Sequence, residues 1–233
     1  MSTQIRAVLI AKCSLLGSRG VASGIFKRPL DNSVEVTRTG LAGDEHGDKK
    51  HHGGPEKAIH HYPFDHYAIW KSEVPKFAVV LDREGAFGEN ISTEGLTEAD
   101  VCIGDIYRLG TALVEVSQAR QPCWRLNERF GNTTMARRVQ DTGRTGWYYR
   151  VLDAGQVGPG DSTDLVERPA PDWPLSRILH LLYRDTLNTD DLAQLAELNQ
   201  LTESWRLLAR RRLEHRTVEK WSRRLNTPEG GAS

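Results

Sequence analysis

The sequence predicts a mainly β fold with helices: a β-barrel or folded-over sheet over roughly residues 1–168, then a small all-α bundle over roughly 172–226. Three observations carry this reading. Short β-favouring runs are spread through the first part of the chain and separated by glycine-rich turns. Strand signals stop after Glu167, at the proline-rich stretch Arg168-Pro-Ala-Pro-Asp-Trp-Pro174. Beyond that stretch, apolar residues recur only at helical spacing.

Taken in order, residues 4–11 and 33–37 read as strands, and a helix is expected over about Phe64 to Val74, where Tyr67 and Trp70 share one face. Asn90 falls at the mouth of a short strand. Residues 106–116 read as a hairpin turning near Leu109-Gly110, and a second helix is expected from about Cys123 to Phe130. Residues 147–152, the turn 155–161 and residues 163–167 repeat the strand, turn, strand pattern. In the second part, Leu175, Ile178, Leu179 and Leu182 form one apolar stripe, Leu192, Leu195 and Leu198 a second, Leu201, Trp205 and Leu208 a third, and Val218, Trp221 and Leu225 a fourth. Residues 227–233 read as a disordered tail.

With 233 residues the chain is long enough to bury a full core without assembly. Its 31 Lys and Arg balance 31 Asp and Glu, so no global field selects nucleic acid, membrane or acidic substrates, and electrostatic selectivity must be local. The N-terminus has no signal-peptide pattern, and nothing approaches the roughly 20 apolar residues of a membrane span. Cys13, Cys102 and Cys123 are odd in number, far apart and without a Cys-x-x-Cys pair, which argues against a disulfide framework. The expectation is a cytoplasmic protein.

The chemistry concentrates on Cys123. It sits in Arg120-Gln121-Pro122-Cys123 with Arg125 nearby, and a thiol beside cations ionises easily to a nucleophile or a soft metal ligand. Arg120 can grip a phosphate through its planar fork. Upstream, His52-Gly53-Gly54 ends a polar loop whose backbone N–H groups can form an anion nest, and His52 could donate a hydrogen bond there. Gly88-Glu89-Asn90 offers an amide suited to a heterocycle edge, and Glu89 or His52 is a candidate proton donor. A rival reading is a zinc-dependent hydrolase, since His46, His51, His52, His60, His61 and His66 crowd one window, although no pair makes the His-Glu-x-x-His pattern. Cys13 and Cys102 are read as structural. Arg206, Arg210, Arg211, Arg212, Arg216, Lys220, Arg223 and Arg224 form one basic patch, read first as a solvated helix face. No Gly-x-Gly-x-x-Gly follows a strand, so no nicotinamide or flavin site is expected, and nucleic acid, pyridoxal phosphate and membrane are not expected partners.

The ordered set Gly40-x-x-Gly43-Asp44, His52-Gly53-Gly54, Tyr62, Gly88-Glu89-Asn90, Gly104-Asp105 and Arg120-x-Pro122-Cys123 resembles the MOSC domain, named for the C-terminal region of molybdenum cofactor sulfurases. With its helical extension the chain is similar to stand-alone bacterial members of the YiiM type. The resemblance implies a barrel that binds molybdenum cofactor (Mo-molybdopterin). Cys123 would then be the molybdenum ligand and catalytic residue, and Arg120 with His52, Gly53 and Gly54 would hold the phosphate. Asn90, with Gly88 and Glu89, would meet the pterin or its phosphate. It further implies reduction of N-hydroxylated substrates such as 6-N-hydroxylaminopurine, in a detoxification of modified bases fed by a separate electron-donating reductase. The alternative within the same family is a cofactor carrier or sulfur-transfer protein without turnover of its own.

Overall fold

The computed structural model describes residues 2–48 and 52–228. The strands are β1 Ser2–Ile10, β2 Ser14–Leu16, β3 Val21–Ser23, β4 Arg28–Pro29, β5 Val34–Thr37, β6 Gly40–Leu41, β7 Ile59–Pro63, β8 Ile91–Thr93, β9 Ile106–Leu109, β10 Ala112–Ala119, β11 Trp147–Asp153, β12 Gly155–Val157 and β13 Ser162–Glu167. The helices are α1 Asp65–Glu73, α2 Arg125–Phe130, α3 Met135–Thr142, α4 Leu175–Tyr183, α5 Thr189–Glu197, α6 Glu203–His215 and α7 Ser222–Leu225.

Strands pair in the order β13, β9, β10, β11, β7, β8, β1, and β13 pairs again with β1 through Ser2 and Asp164. Seven strands therefore close a barrel, which leaves no free edge apart from the short β4 added beside β1. Its pairings are antiparallel except β7–β8. The expected hairpin is β9–β10, with Leu109 opposite Ala112. In β10 the first residues alternate, Ala112, Val114 and Val116 turning inward. β7 has no such alternation: all five residues of Ile59-His-His-Tyr-Pro63 are buried, so the period-2 signal is missing from the sequence.

His61 in β7 is fully buried. Its Nδ1 lies 3.0 Å from the Tyr149 hydroxyl and its Nε2 2.8 Å from Thr93 Oγ1, and burial pushes its pKa down to about 3. Burial, with the charge of Arg120 adding to it, also holds His60 well below its ordinary value. Unfolded histidines take up a proton near pH 6.5 that these folded ones refuse, so stability falls as the pH drops from about 6.5 toward about 3. Denaturant titrations at pH 7.5 and 5.5 are expected to differ by about 2–3 kcal/mol for the two residues together, and His61→Gln should remove about half of that difference.

Among the described residues the named elements after β13 are all helices, preceded by a single bridge between Cys102 and Pro174. The barrel interior and the helices share one apolar cluster that runs from Ile5, Val8 and Val116 to Trp173, Ile178, Leu195 and Trp205. Asn188 caps α5 by accepting the Asp191 N–H at 3.1 Å. The first three expected stripes fall on α4, on α5, and on α6 with the turn before it. The fourth differs: Arg216 takes a left-handed conformation (φ 53°) that ends α6, and only Ser222–Leu225 is helical again. A second cluster joins Tyr62, Trp70, Phe87, Leu126, Phe130 and Met135, with the Tyr62 and Phe87 rings stacked at 4.2 Å. It includes α3, an insert that the sequence reading did not separate from its surroundings. Among the described residues no helix is long and apolar enough to cross a membrane.

Candidate functional site

A small cleft, open to solvent, lies where the ends of β7, β10 and β11 meet the loops around residues 23–27, 45–48, 52–53 and 87–90. Its polar lining includes Lys57, His60, Arg120, Cys123, Arg125 and Tyr148. The loop from the end of β10 to the start of α2 delivers Arg120 and Cys123. Arg120 N–H donates to the Gly146 carbonyl at 2.9 Å, which holds this residue beside β11 just beyond the last β10 pair.

Cys123 is partly exposed, and its Sγ lies 3.6 Å from His52 Nε2. His52 Nδ1 in turn lies 3.8 Å from Asp48 Oδ2, and Arg125 donates to the same carboxylate oxygen at 3.2 Å. Burial alone would raise the Cys123 thiol. The His52 hydrogen bond and charge, the Arg120 charge and the Arg125 backbone N–H outweigh it and bring the pKa to about 6, so the group is mostly thiolate at pH 7.

Arg120 is 7% exposed, and its Nη1 has no hydrogen-bond partner. His60 Nε2, also buried, has none either. A buried guanidinium N–H without an acceptor is costly, and here it leaves a charged donor at the cleft wall that an anion could satisfy. Close backbone approach shapes the rest of the wall. A Cβ on Gly24 would lie 2.0 Å from the Glu45 carbonyl oxygen, so the 23–25 and 45–47 loops touch only because this residue is glycine. Gly53 has φ +73°, and a Cβ there would strike the His46 ring at 2.2 Å.

In the cleft wall lies a buried pair that the sequence reading missed, with Lys27 at the lining and Asp44 beneath it. Lys27 donates to both carboxylate oxygens of Asp44, which also accepts from Ala11 N at 2.8 Å and from Asn90 Nδ2 at 2.9 Å. Burial pushes the Lys27 pKa down, and Asp44 opposes the shift. Asp44→Ala would leave the ammonium and two N–H donors without an acceptor, at an expected cost of about 3–5 kcal/mol in denaturant midpoint analysis. Lys27→Met should cost less, because the carboxylate keeps two donors.

The structure brings His52, Gly53, Gly88, Asn90, Arg120 and Cys123 to one cleft. Three residues differ from expectation in what they can do there. Asn90 lines the wall, but its amide is fully engaged, donating to Leu9 O and Asp44 and accepting from His60 N at 3.1 Å. Glu89 lies behind the wall, fully buried, accepting from Gly85 N, Phe87 N and the Tyr67 hydroxyl; it braces the loop and has no access to a ligand as a proton donor. Gly54 lines a neighbouring recess with Cys13, Thr39 and Leu41. Lys57 and Tyr148 were missed; Lys57 stands three residues beyond Gly54, and Tyr148 carried no local signal.

The histidines of the crowded window divide. His46, His52 and His60 line the cleft, whereas His61 faces the barrel interior and His66 pairs with Glu98 at 2.7 Å. Among the described residues no group of three or more His, Cys, Asp or Glu could hold a metal ion. His51, with Lys49 and Lys50, lies outside the described residues.

The MOSC domain family matches residues 48–164, which contain Cys123, Arg120 and His52. The chain belongs to the MOSC domain family. The YiiM-like 3-alpha helix domain matches residues 173–216. This MOSC protein is 40% identical over 207 residues to protein YiiM of Escherichia coli (strain K12), covering 88% of this chain and 91% of that one. It is 39% identical over 211 residues to a protein named reductase from Gibberella moniliformis (strain M3125 / FGSC 7600), covering 90% of this chain but 37% of that one. The crystal structure of YiiM from Escherichia coli superposes with a TM-score of 0.81 at 32% identity, over 96% of this chain and 99% of that one.

Proposed function

We propose that this MOSC protein is a cytoplasmic molybdenum-cofactor oxidoreductase that reduces N-hydroxylated compounds, with bases such as 6-N-hydroxylaminopurine as substrates and detoxification as its purpose. One observation carries the reading: a low-pKa thiolate, Cys123, shares a narrow cleft with the buried, unpartnered Nη1 of Arg120. A soft sulfur donor and an orphaned anion-binding N–H are what a metal held through a phosphate-bearing pterin would need. The residues present fit that group. Cys123 Sγ would be the protein ligand to the metal. Arg120, Lys57 and the backbone around Gly53 and Gly24 would hold the phosphate.

Bound there, the cofactor would supply two-electron redox chemistry at the N–O bond. The net reaction consumes two electrons and two protons, converts the hydroxylamine to an amine and releases the oxygen as water. The chain's own part is to orient the substrate, limit water and manage protons. His52, poised between Cys123 and Asp48, is the residue placed to hold one. The electrons would come from a separate reductase. In the Gibberella relative named reductase the matched region is only 37% of the chain, which leaves room there for a second functional part.

The test is turnover of cofactor-loaded protein, with a chemical reductant and a panel of N-hydroxylated bases. Amine product at a rate proportional to molybdenum content is the expected result. Molybdenum bound stoichiometrically with no member of the panel reduced would instead identify a carrier or sulfur-transfer protein.

A further inference from the structure

The structure assigns the C-terminal segment Glu219–Pro228, which lies beyond the residues matched by either family, to a strap that holds the cysteine loop in place, with Arg224 as a positioning residue. The consequence for the cofactor rests on the reading of Cys123 as its ligand, whereas the strap itself rests on geometry alone. Its near end is pinned to the helical bundle. Arg212, 1% exposed, donates to both Glu219 carboxylate oxygens at 2.8 and 3.1 Å, and Trp221 Nε1 donates to Glu219 at 2.8 Å.

From there α7 lies against the loop that carries the thiol. Arg224 donates through Nη1 to the Pro122 carbonyl, the residue directly before Cys123. Its own carbonyl accepts the Trp124 N–H, the residue directly after, at 2.8 Å. Cys123 is thus bracketed on both sides by one residue. Arg224 Nη2 continues to Gln140 Oε1 on α3 at 2.5 Å, and Asn127 Nδ2 on α2 donates to Leu225 O at 2.8 Å. Leu225, 1% exposed, fills the second apolar cluster beside Leu126 and Phe130. At the far end Arg19, in the β2–β3 turn, donates to Pro228 O at 2.5 Å. That hairpin carries Ser23, on the opposite lip of the cleft. The strap therefore ties the helical bundle, the cysteine loop and the facing hairpin together.

A loop that contains a proline and ends in a short helix has few backbone bonds of its own, so its position depends on such outside contacts. Arg224 touches neither thiol nor ligand and acts by setting where Cys123 stands.

The experiment is hydrogen exchange on full-length protein, read on peptides covering residues 122–127 and on β10 as an internal reference. Arg224→Ala is expected to speed exchange in the 122–127 segment by about tenfold or more while β10 stays unchanged, since a charged donor to the loop is lost. It should also lower the molybdenum retained per chain. Arg224→Lys, which keeps one donor for the Pro122 carbonyl, should recover part of both. Leu192→Ala, a cavity inside the helical bundle away from the loop, is the control for general loosening. Wild-type exchange at 122–127 in Arg224→Ala, or equal loosening in Leu192→Ala, would overturn the strap. If the wild type takes up no molybdenum yet the exchange pattern holds, the strap stands and the cofactor reading fails.

Discussion

Cys123→Ser is expected to lower molybdenum and pterin content at least about tenfold from near one per chain, and to reduce turnover with a chemical reductant by about two orders of magnitude or more. Serine is nearly the same size, but its oxygen is hard and protonated at neutral pH, so fold and cleft remain while the donor is lost. Metal analysis and pterin fluorescence on protein from a host that makes the cofactor measure the first effect. A thermal melt matching the wild type separates ligation from folding. In cofactor-free protein the same thiol gives a pH signature. Its rate of alkylation by iodoacetamide should rise to a plateau with a midpoint near pH 6, well below the ordinary thiol value of 9. His52→Ala removes a hydrogen bond and a charge that favour the thiolate, so the midpoint should move up. An unchanged midpoint in that variant would show that His52 does not activate the sulfur.

Arg120→Ala is expected to weaken cofactor retention by roughly tenfold to a hundredfold, the size of a lost hydrogen bond from a charged donor to a phosphate. Arg120→Lys should fail to restore it fully, because an ammonium cannot reproduce the planar fork. The companion result is about stability. Since Nη1 is buried without an acceptor, the cofactor-free protein should melt at the same temperature or higher after Arg120→Ala, within about 1 kcal/mol of wild type. A structural arginine would behave in the opposite way, with a lower melting temperature and unchanged retention. Equilibrium dialysis of the released cofactor, together with calorimetry of the apo-protein, reads both quantities.

The two residues were legible in different degrees. Cys123 stood out because the proline and two arginines around it are local in sequence, and local sequence is what perturbs a thiol first. The planar fork of Arg120 suits a phosphate, but an arginine after a strand is otherwise a surface residue, and it is the family resemblance that raises it above that reading. Glu89 and Asn90 sit in the same motif as Gly88, yet the fold turns one into a brace for the 85–87 turn and the other into a link between Asp44, Leu9 and His60. The histidine window divides for a related reason. Successive residues of a strand face opposite sides, so His60 and His61, adjacent in sequence, turn one to the cleft and the other into the barrel.

By itself the sequence determined the class of fold, the switch from strands to helices after Glu167, three of the helical stripes and the easily ionised thiol of Cys123. These depend on periodicity, turn residues and near neighbours, all of which are written within a few positions of one another. Only the tertiary structure decided that β13 returns to β1 to close the barrel, that Lys27 and Asp44 form a buried pair in the cleft wall, and that Arg224 brackets Cys123 from 101 positions away. The last case shows the physical reason. An arginine in a basic run looks like a solvated charge until the chain reversal at Arg216 and the Arg212–Glu219 pair bring it down on the cysteine loop, and contacts of that kind are fixed by packing rather than by any local pattern.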